Sequence, residues 1–119
     1  MKILALTSIR SEYDLMSPLF AMLHEDKDVT LKLLVGGAHN SSSFGYTCQH
    51  IKNDGLDILL EIESLIDSDT LSGRLKSASI LLLSSIDVVK NYDPDLIIYA
   101  GDREEVMIGA LLGGYLGIP

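Results

Sequence analysis

The chain has 119 residues, 47% of them hydrophobic and 22% charged, with a net charge of −8, which is enough apolar material for one packed domain at most, burying roughly two-thirds of its extended-chain surface, and too much for a linker or a disordered tail. The negative balance disfavours non-specific attraction to nucleic acid or to an anionic membrane, so any anionic ligand must be held by local arginines against the overall field. Cys48 is the single cysteine, which excludes an internal disulfide and a cysteine-based metal cluster and fits a reducing compartment.

The first apolar run, Lys2–Thr7, predicts a strand. It stops at Thr7 and Ser8, after about six residues, too short for a signal peptide or a spanning helix, and the expectation is a cytoplasmic protein. Ser8-Ile9-Arg10-Ser11-Glu12-Tyr13-Asp14 follows, with a helix predicted over 14–25. Asp14 is the expected N-cap, which puts Pro18 about in the first turn, where its missing N–H costs little. The first N–H groups of a helix have no intrahelical partner and lie at the positive end of the macrodipole, so Arg10 at this turn makes a ready anion site.

A second strand is expected over 30–35, then a Gly36–Gly45 loop, a helix over 44–53 and a third strand over 57–62. The acidic stretch from Glu61 through Asp69 reads as a solvated loop. In the long helix predicted over 70–91, Leu71, Leu75, Ala78, Leu82, Ile86 and Val89 recur at spacings of three and four and define one apolar face, widened by Ile80, Leu81, Leu83 and Val88. The serines and Lys90 make this a buried helix and not a membrane span. Pro94 ends it and launches a strand over 95–100, and Gly101-Asp102-Arg103 marks the turn into a last helix over 103–116. That helix is apolar nearly all round, and Gly117-Ile118-Pro119 reads as a helix stop leading into a further strand. The expectation is the amino-terminal piece of a longer protein; the alternative is a complete small domain that dimerises through this helix.

Strands one, two and four are almost continuously apolar, as strands covered on both faces are, and with helical crossovers they predict a parallel, doubly wound α/β sheet. Ligands gather at the carboxyl ends of such strands. The first and fourth strands are neighbours in the common order, so Arg10 and Arg103 are expected at one cleft. A carboxylate beside two arginines, Asp102, is kept ionised and suits proton transfer or the orientation of a water. Each residue has a plainer reading: Arg10 as a surface partner of Glu12 or Asp14, Asp102 as a helix cap, His39 as a solvated loop residue. Gly-x-Gly-x-x-Gly and the P-loop ending are absent, which disfavours NAD and ATP enzymes of those types. His24, His39 and His50 are too far apart for a local metal motif, and no zinc is expected.

Thr7-Ser-Ile-Arg10-Ser-Glu12-Tyr13-Asp14-Leu-Met-Ser-Pro18, the loop Gly37-Ala-His39 through Phe44-Gly45-Tyr46-Thr47, Ser68-Asp69-Thr70 and Gly101-Asp102-Arg103 together resemble the hydrolysing UDP-N-acetylglucosamine 2-epimerases, in order along the whole chain. The resemblance implies a Rossmann-like domain, the incomplete amino-terminal half of a GT-B-type two-domain fold, with UDP-sugar bound between the halves. It implies that Arg10 and Arg103 contact UDP, that the helix turn at Asp14 lies beside it, that His39 lines the sugar end and that Asp102 is an acid–base group. The implied reaction eliminates UDP across the sugar C1–C2 bond and hydrates the glycal to the 2-epimer, N-acetylmannosamine in the commonest case, for sialic- or nonulosonic-acid synthesis. It uses no nicotinamide and no obligatory metal. Arg103 points to the hydrolysing branch, while Ile9, Asn40 and Glu104 depart from the family's usual residues. The fragment alone is expected to be inactive and to self-associate through the last helix. The competing readings are a non-catalytic nucleotide-binding module and an association domain.

Overall fold

The structure, a computed structural model, describes residues 1–8, 10–36, 48–62, 70–101 and 104–119, the side chains of Arg10, Cys48 and Glu104 excepted. Strands and helices alternate: β1 (Lys2–Thr7), α1 (Arg10–Glu25), β2 (Thr30–Val35), α2 (Cys48–Asn53), β3 (Ile58–Glu61), α3 (Leu71–Tyr92), β4 (Leu96–Ile98) and α4 (Glu104–Leu116). The strands form a parallel sheet in the order β3-β2-β1-β4. β1 and β2 have the expected bounds. The outer strands β3 and β4 are shorter than expected.

The apolar runs split between the two faces, as the period of two along a strand requires. Ile3, Ala5, Leu31, Leu33 and Val35 face a core shared with Tyr13 and Phe20 of α1 and Ile51 of α2. Leu4, Leu6 and Leu34 face the opposite core, with Leu81 and Val89 of α3 and Ile108 and Leu112 of α4. A doubly wound sheet has no solvent face, and the central strands β1 and β2 are therefore apolar at most positions, Lys32 of β2 being the charged exception between the strand ends.

Two expectations need correction. α1 begins at Arg10, so Asp14 is not its N-cap and Pro18 lies well inside the helix. Proline there leaves the carbonyl of residue 14 without its usual N–H donor; the Ser17 hydroxyl donates to it at 3.3 Å instead. The buried stripe of α3 is also rotated from the one expected. It runs through Gly73, Ser77, Ala78, Leu81, Ser85 and Val89, while Leu71 is 83% and Leu75 64% exposed. The serines are admissible inside because their hydroxyls donate to carbonyls of their own helix, Ser77 to Gly73 at 3.1 Å and Ser85 to Leu82 at 3.0 Å, which removes the cost of burying an unpaired polar group.

Both ends of α3 are capped. Thr70 is the N-cap and accepts from the Gly73 N–H at 3.0 Å, and Asp93 leaves the helix in the left-handed region at φ 53°. Gly117, at φ +71°, turns the chain out of α4, and Pro119 O accepts from the Ile97 N–H at 2.8 Å. The segment after α4 thus runs to the open edge of β4, as its sequence predicts. None of the described helices is long and apolar enough to cross a membrane.

Candidate functional site at the carboxyl rim of the sheet

β1 and β4 lie side by side, with Ala5 opposite Ile98, so both chains leave the sheet on the same rim. β1 runs out through buried Thr7 and Ser8 toward α1, and β4 through Gly101 toward α4. Two helix amino termini therefore start beside one another where a doubly wound sheet collects its ligands.

The first turn of each helix carries a buried glutamate, Glu12 on α1 at 7% exposure and Glu105 on α4 at 1%. The Ser8 hydroxyl donates to Glu105 Oε2. Gly101 lies between the two carboxyl groups at φ +105°, and a Cβ at this position would come within 2.5 Å of Glu12 Oε2 and 3.0 Å of Glu105 Oε1. Glycine is favoured here because an L side chain is strained at this φ, and a Cβ would in addition require the Glu12 carboxyl group to shift. Among the described residues, no hydrogen bond of ordinary geometry reaches Oε1 or Oε2 of Glu12, or Oε1 of Glu105. Burial, followed by the hydrogen bond and charge of Glu105, pushes the Glu12 carboxyl up to about 9; the Ser8 backbone and the Thr7 hydroxyl oppose this more weakly.

Of the residues proposed from sequence, Arg10 is the first residue of α1, at the rim. Asp14 is one turn further along the same helix, on its exposed side. His39, Asp102 and Arg103 lie outside the described residues; Gly101 and Glu104, on either side of the last two, belong to the rim. Among the described residues no group of His, Cys, Asp and Glu is placed to hold a metal ion. His24 and His50 lie on exposed helix surfaces. Glu61 is in β3 and pairs with Lys52 at 2.8 Å, so the acidic stretch begins in the sheet and not in a loop.

Sequence reasoning missed the Glu12–Glu105 pair. The sequence offers Glu12 as a surface partner for Arg10, and nothing in its pattern marks Glu105 as buried. The available signal was the combination of a glycine at the end of a strand and a glutamate in the first turn of each of two helices whose strands are neighbours.

With this geometry, the similarity to known proteins is specific. The family model described as UDP-N-acetylglucosamine 2-epimerase matches residues 21–119. The UDP-N,N'-diacetylbacillosamine 2-epimerase (hydrolyzing) of Legionella pneumophila is 30% identical over 99% of this chain and 31% of its own length. The polysialic acid biosynthesis protein P7 of Escherichia coli is 31% identical over 99% of this chain and 30% of its own. The crystal structure of UDP-GlcNAc 2-epimerase from Neisseria meningitidis bound to UDP-GlcNAc superimposes with a TM-score of 0.78 at 21% identity, over 100% of this chain and 31% of that one. The fold is the Rossmann-like α/β class found in GT-B-type epimerases and glycosyltransferases. The chain spans about 31% of the length of such relatives, and it belongs to the UDP-N-acetylglucosamine 2-epimerase family.

Proposed function

We propose that residues 1–119 form a partial Rossmann-like domain, the amino-terminal UDP-side part of a cytoplasmic UDP-sugar 2-epimerase of the hydrolysing type. The observation that carries this reading is the adjacency of β1 and β4, which starts α1 at Arg10 and α4 just after Asp102-Arg103 on one rim. In this reading Arg10 and Arg103 hold the diphosphate, the α1 turn at Asp14 flanks it, and His39 lines the sugar. Asp102 moves a proton as UDP leaves C1 and the C2 proton is lost; water then adds across the glycal. The products are UDP and N-acetylmannosamine or a related 2-epimer for sialic- or nonulosonic-acid synthesis. The names of the Legionella and Escherichia coli relatives support this placement. No nicotinamide or metal enters the scheme, and the 119-residue piece alone does not turn over substrate.

The test is calorimetric titration of the full-length protein with UDP. Arg10→Ala and Arg103→Ala each remove a charge-assisted contact and should weaken binding by about 1.5–3 kcal/mol, or roughly 10- to 150-fold. Unchanged affinity in both would end the site assignment. Asp102→Asn, which retains a helix cap, should lose about 10²–10⁴-fold in rate.

Self-association through α4 is a second element of the reading. Met107 is 59% and Tyr115 89% exposed, and Leu82, Ile86, Leu111, Leu112, Tyr115 and Leu116 line an apolar groove of about 170 Å³ between α3 and α4. Of the small residues of α4 that the sequence offers for close approach of a partner, Gly109, Ala110, Gly113 and Gly114, a Cβ on Gly114 would meet nothing within 4 Å, whereas Gly109 and Gly113 pack within the chain. A Cβ on Gly109 would run into the Tyr99 ring, and one on Gly113 would lie 2.8 Å from Ile118 O, so both glycines are used within the chain. A monomer in light scattering at high concentration would rule association out.

A further inference from the structure

Glu12 and Glu105 are the acidic side chains buried among the described residues, and the proposed reaction gives them no role. Each sits in the first turn of a helix, where the positive helix end favours a carboxylate. Two ionised carboxylates packed together in a poorly solvated site nevertheless repel each other. Three of their four oxygens lack a hydrogen bond of ordinary geometry among the described residues, and the fourth, Glu105 Oε2, accepts from Ser8. Two carboxylates have no proton to offer one another. One proton on Glu12 turns an orphaned acceptor into a donor beside a second orphan, Glu105 Oε1, and removes one of the two charges. The bare Cα of Gly101 leaves the space that both groups occupy.

We propose that Glu12 and Glu105 are a positioning pair, a carboxylic acid and a carboxylate sharing one proton, that ties the first turn of α1 to the first turn of α4 and fixes the spacing of the two helix starts, Arg10 opening α1 and Asp102-Arg103 preceding α4 in the sequence. The benefit to UDP binding rests on the function proposed above; the tie itself does not. The other charged groups at the ends of the elements that meet here are Arg10 and Asp14 at the start of α1, Asp102 and Arg103 after β4 in the sequence, and Glu104 at the start of α4. Tyr13, the remaining titratable neighbour, donates to Asp54 at 2.5 Å. The competing arrangement is an ionised Glu12 neutralised by Arg10 or Arg103.

Carbon-13 NMR of the glutamate side chains in the 119-residue chain distinguishes the two. The shared proton predicts that Glu12 keeps the carboxylic-acid signal at pH 7 and titrates near pH 9. The amide signals of Ser8 and Gly101 should move in the same step. Glu12→Gln, which keeps a donor and carries no charge, should leave those amides at their pH 7 positions and abolish the step. Glu12→Ala should displace them at every pH. Arg10→Ala and Arg103→Ala should move the Glu12 midpoint by less than one pH unit. The proposal is overturned if Glu12 titrates in the ordinary glutamate range, if Glu12→Gln displaces the amides as far as Glu12→Ala, or if either arginine variant raises the midpoint by more than that. These readouts need no ligand, so a chain that fails to bind UDP would count against the proposed function and leave the pair standing.

Discussion

The two rims of the sheet are built on opposite principles. At the amino-terminal rim the polar groups of Met1, Lys2, Tyr92 and Asp95 make hydrogen bonds at exposed positions. The Lys2 N–H donates to Asp95 Oδ2 and the Asp95 N–H to Lys2 O, both at 2.8 Å. The terminal ammonium donates to Asp28 O at 2.8 Å, and the Tyr92 hydroxyl to Thr30 O at 3.2 Å. The Lys2 and Lys32 ammonium groups each lie 5.4 Å from the Tyr92 ring centroid, within reach of a cation–π attraction. At the carboxyl rim, by contrast, two carboxyl groups are buried together around Gly101, and among the described residues most of their oxygens find no ordinary hydrogen bond. One rim holds the ends of the sheet together. The other accepts a local cost where two helix starts must meet, a pattern expected where a binding site constrains the fold.

The largest expected effect follows from protonation. In the unfolded chain Glu12 ionises near 4.5, and in the folded protein its carboxyl is pushed up to about 9. Between these values the folded form holds a proton that the unfolded form lacks, so stability falls as pH rises from about 4.5 to 9 and is flat above that. The loss is on the order of a few kcal/mol. Glu12→Gln should flatten this dependence and be the more stable protein at pH 9. Chemical denaturation at a series of pH values measures it, and parallel curves for the two proteins would show that the carboxyl rim carries no such burden.

Gly101→Ala comes next. The new Cβ would enter the space beside Glu12 Oε2 at a φ of +105°, combining overpacking with backbone strain. A cost of about 2–4 kcal/mol is expected, read as a lowered denaturation midpoint with an unchanged slope. Because the clash is with the Glu12 carboxyl, Glu12→Ala in the same chain should relieve part of it. Strict additivity of the two changes would mean that the glycine serves its backbone conformation alone.

Most of the fold was legible because it rests on burial along single elements. β1 and β2 are apolar at nearly every position, and covering both faces of the sheet was the direct reading. The adjacency of β1 and β4 followed from the common strand order. The failures came where tertiary contact overrides local preference. Pro18 argued for a late helix start, but Ser17 supplies the donor that the proline lacks. The leucines of α3 argued for one face, but the buried side runs through Gly73, Ser77, Leu81 and Ser85, where the serine hydroxyls bond to their own helix. Arg10 and Asp14 could be placed on α1 from the sequence. The Glu12–Glu105 meeting could not, because it joins residues 93 positions apart whose types ordinarily face water.

The smallest effects belong to the amino-terminal rim, and they test whether the rims are independent. Asp95→Ala deletes the acceptor for the Lys2 N–H, a group that water can reach, so the loss should be about 0.5–1.5 kcal/mol. Tyr92→Phe deletes the hydroxyl bond to Thr30 O and keeps the aromatic face under Lys2 and Lys32; it should cost no more than the lower end of that range. Removing the hydroxyl also removes a titrating group whose pKa is raised by burial and by the charges of Asp95 and Asp57. An unfolded tyrosine loses its proton first as the pH climbs, so above about 10 the folded wild type is disfavoured by retaining it, and the deficit of Tyr92→Phe should narrow there. Neither variant should move the Ser8 or Gly101 amide signals, because β1 separates the two rims and its central positions are unchanged. Displacement of those signals by Asp95→Ala would mean that strain at the carboxyl rim is held in place from the opposite end of the same strands.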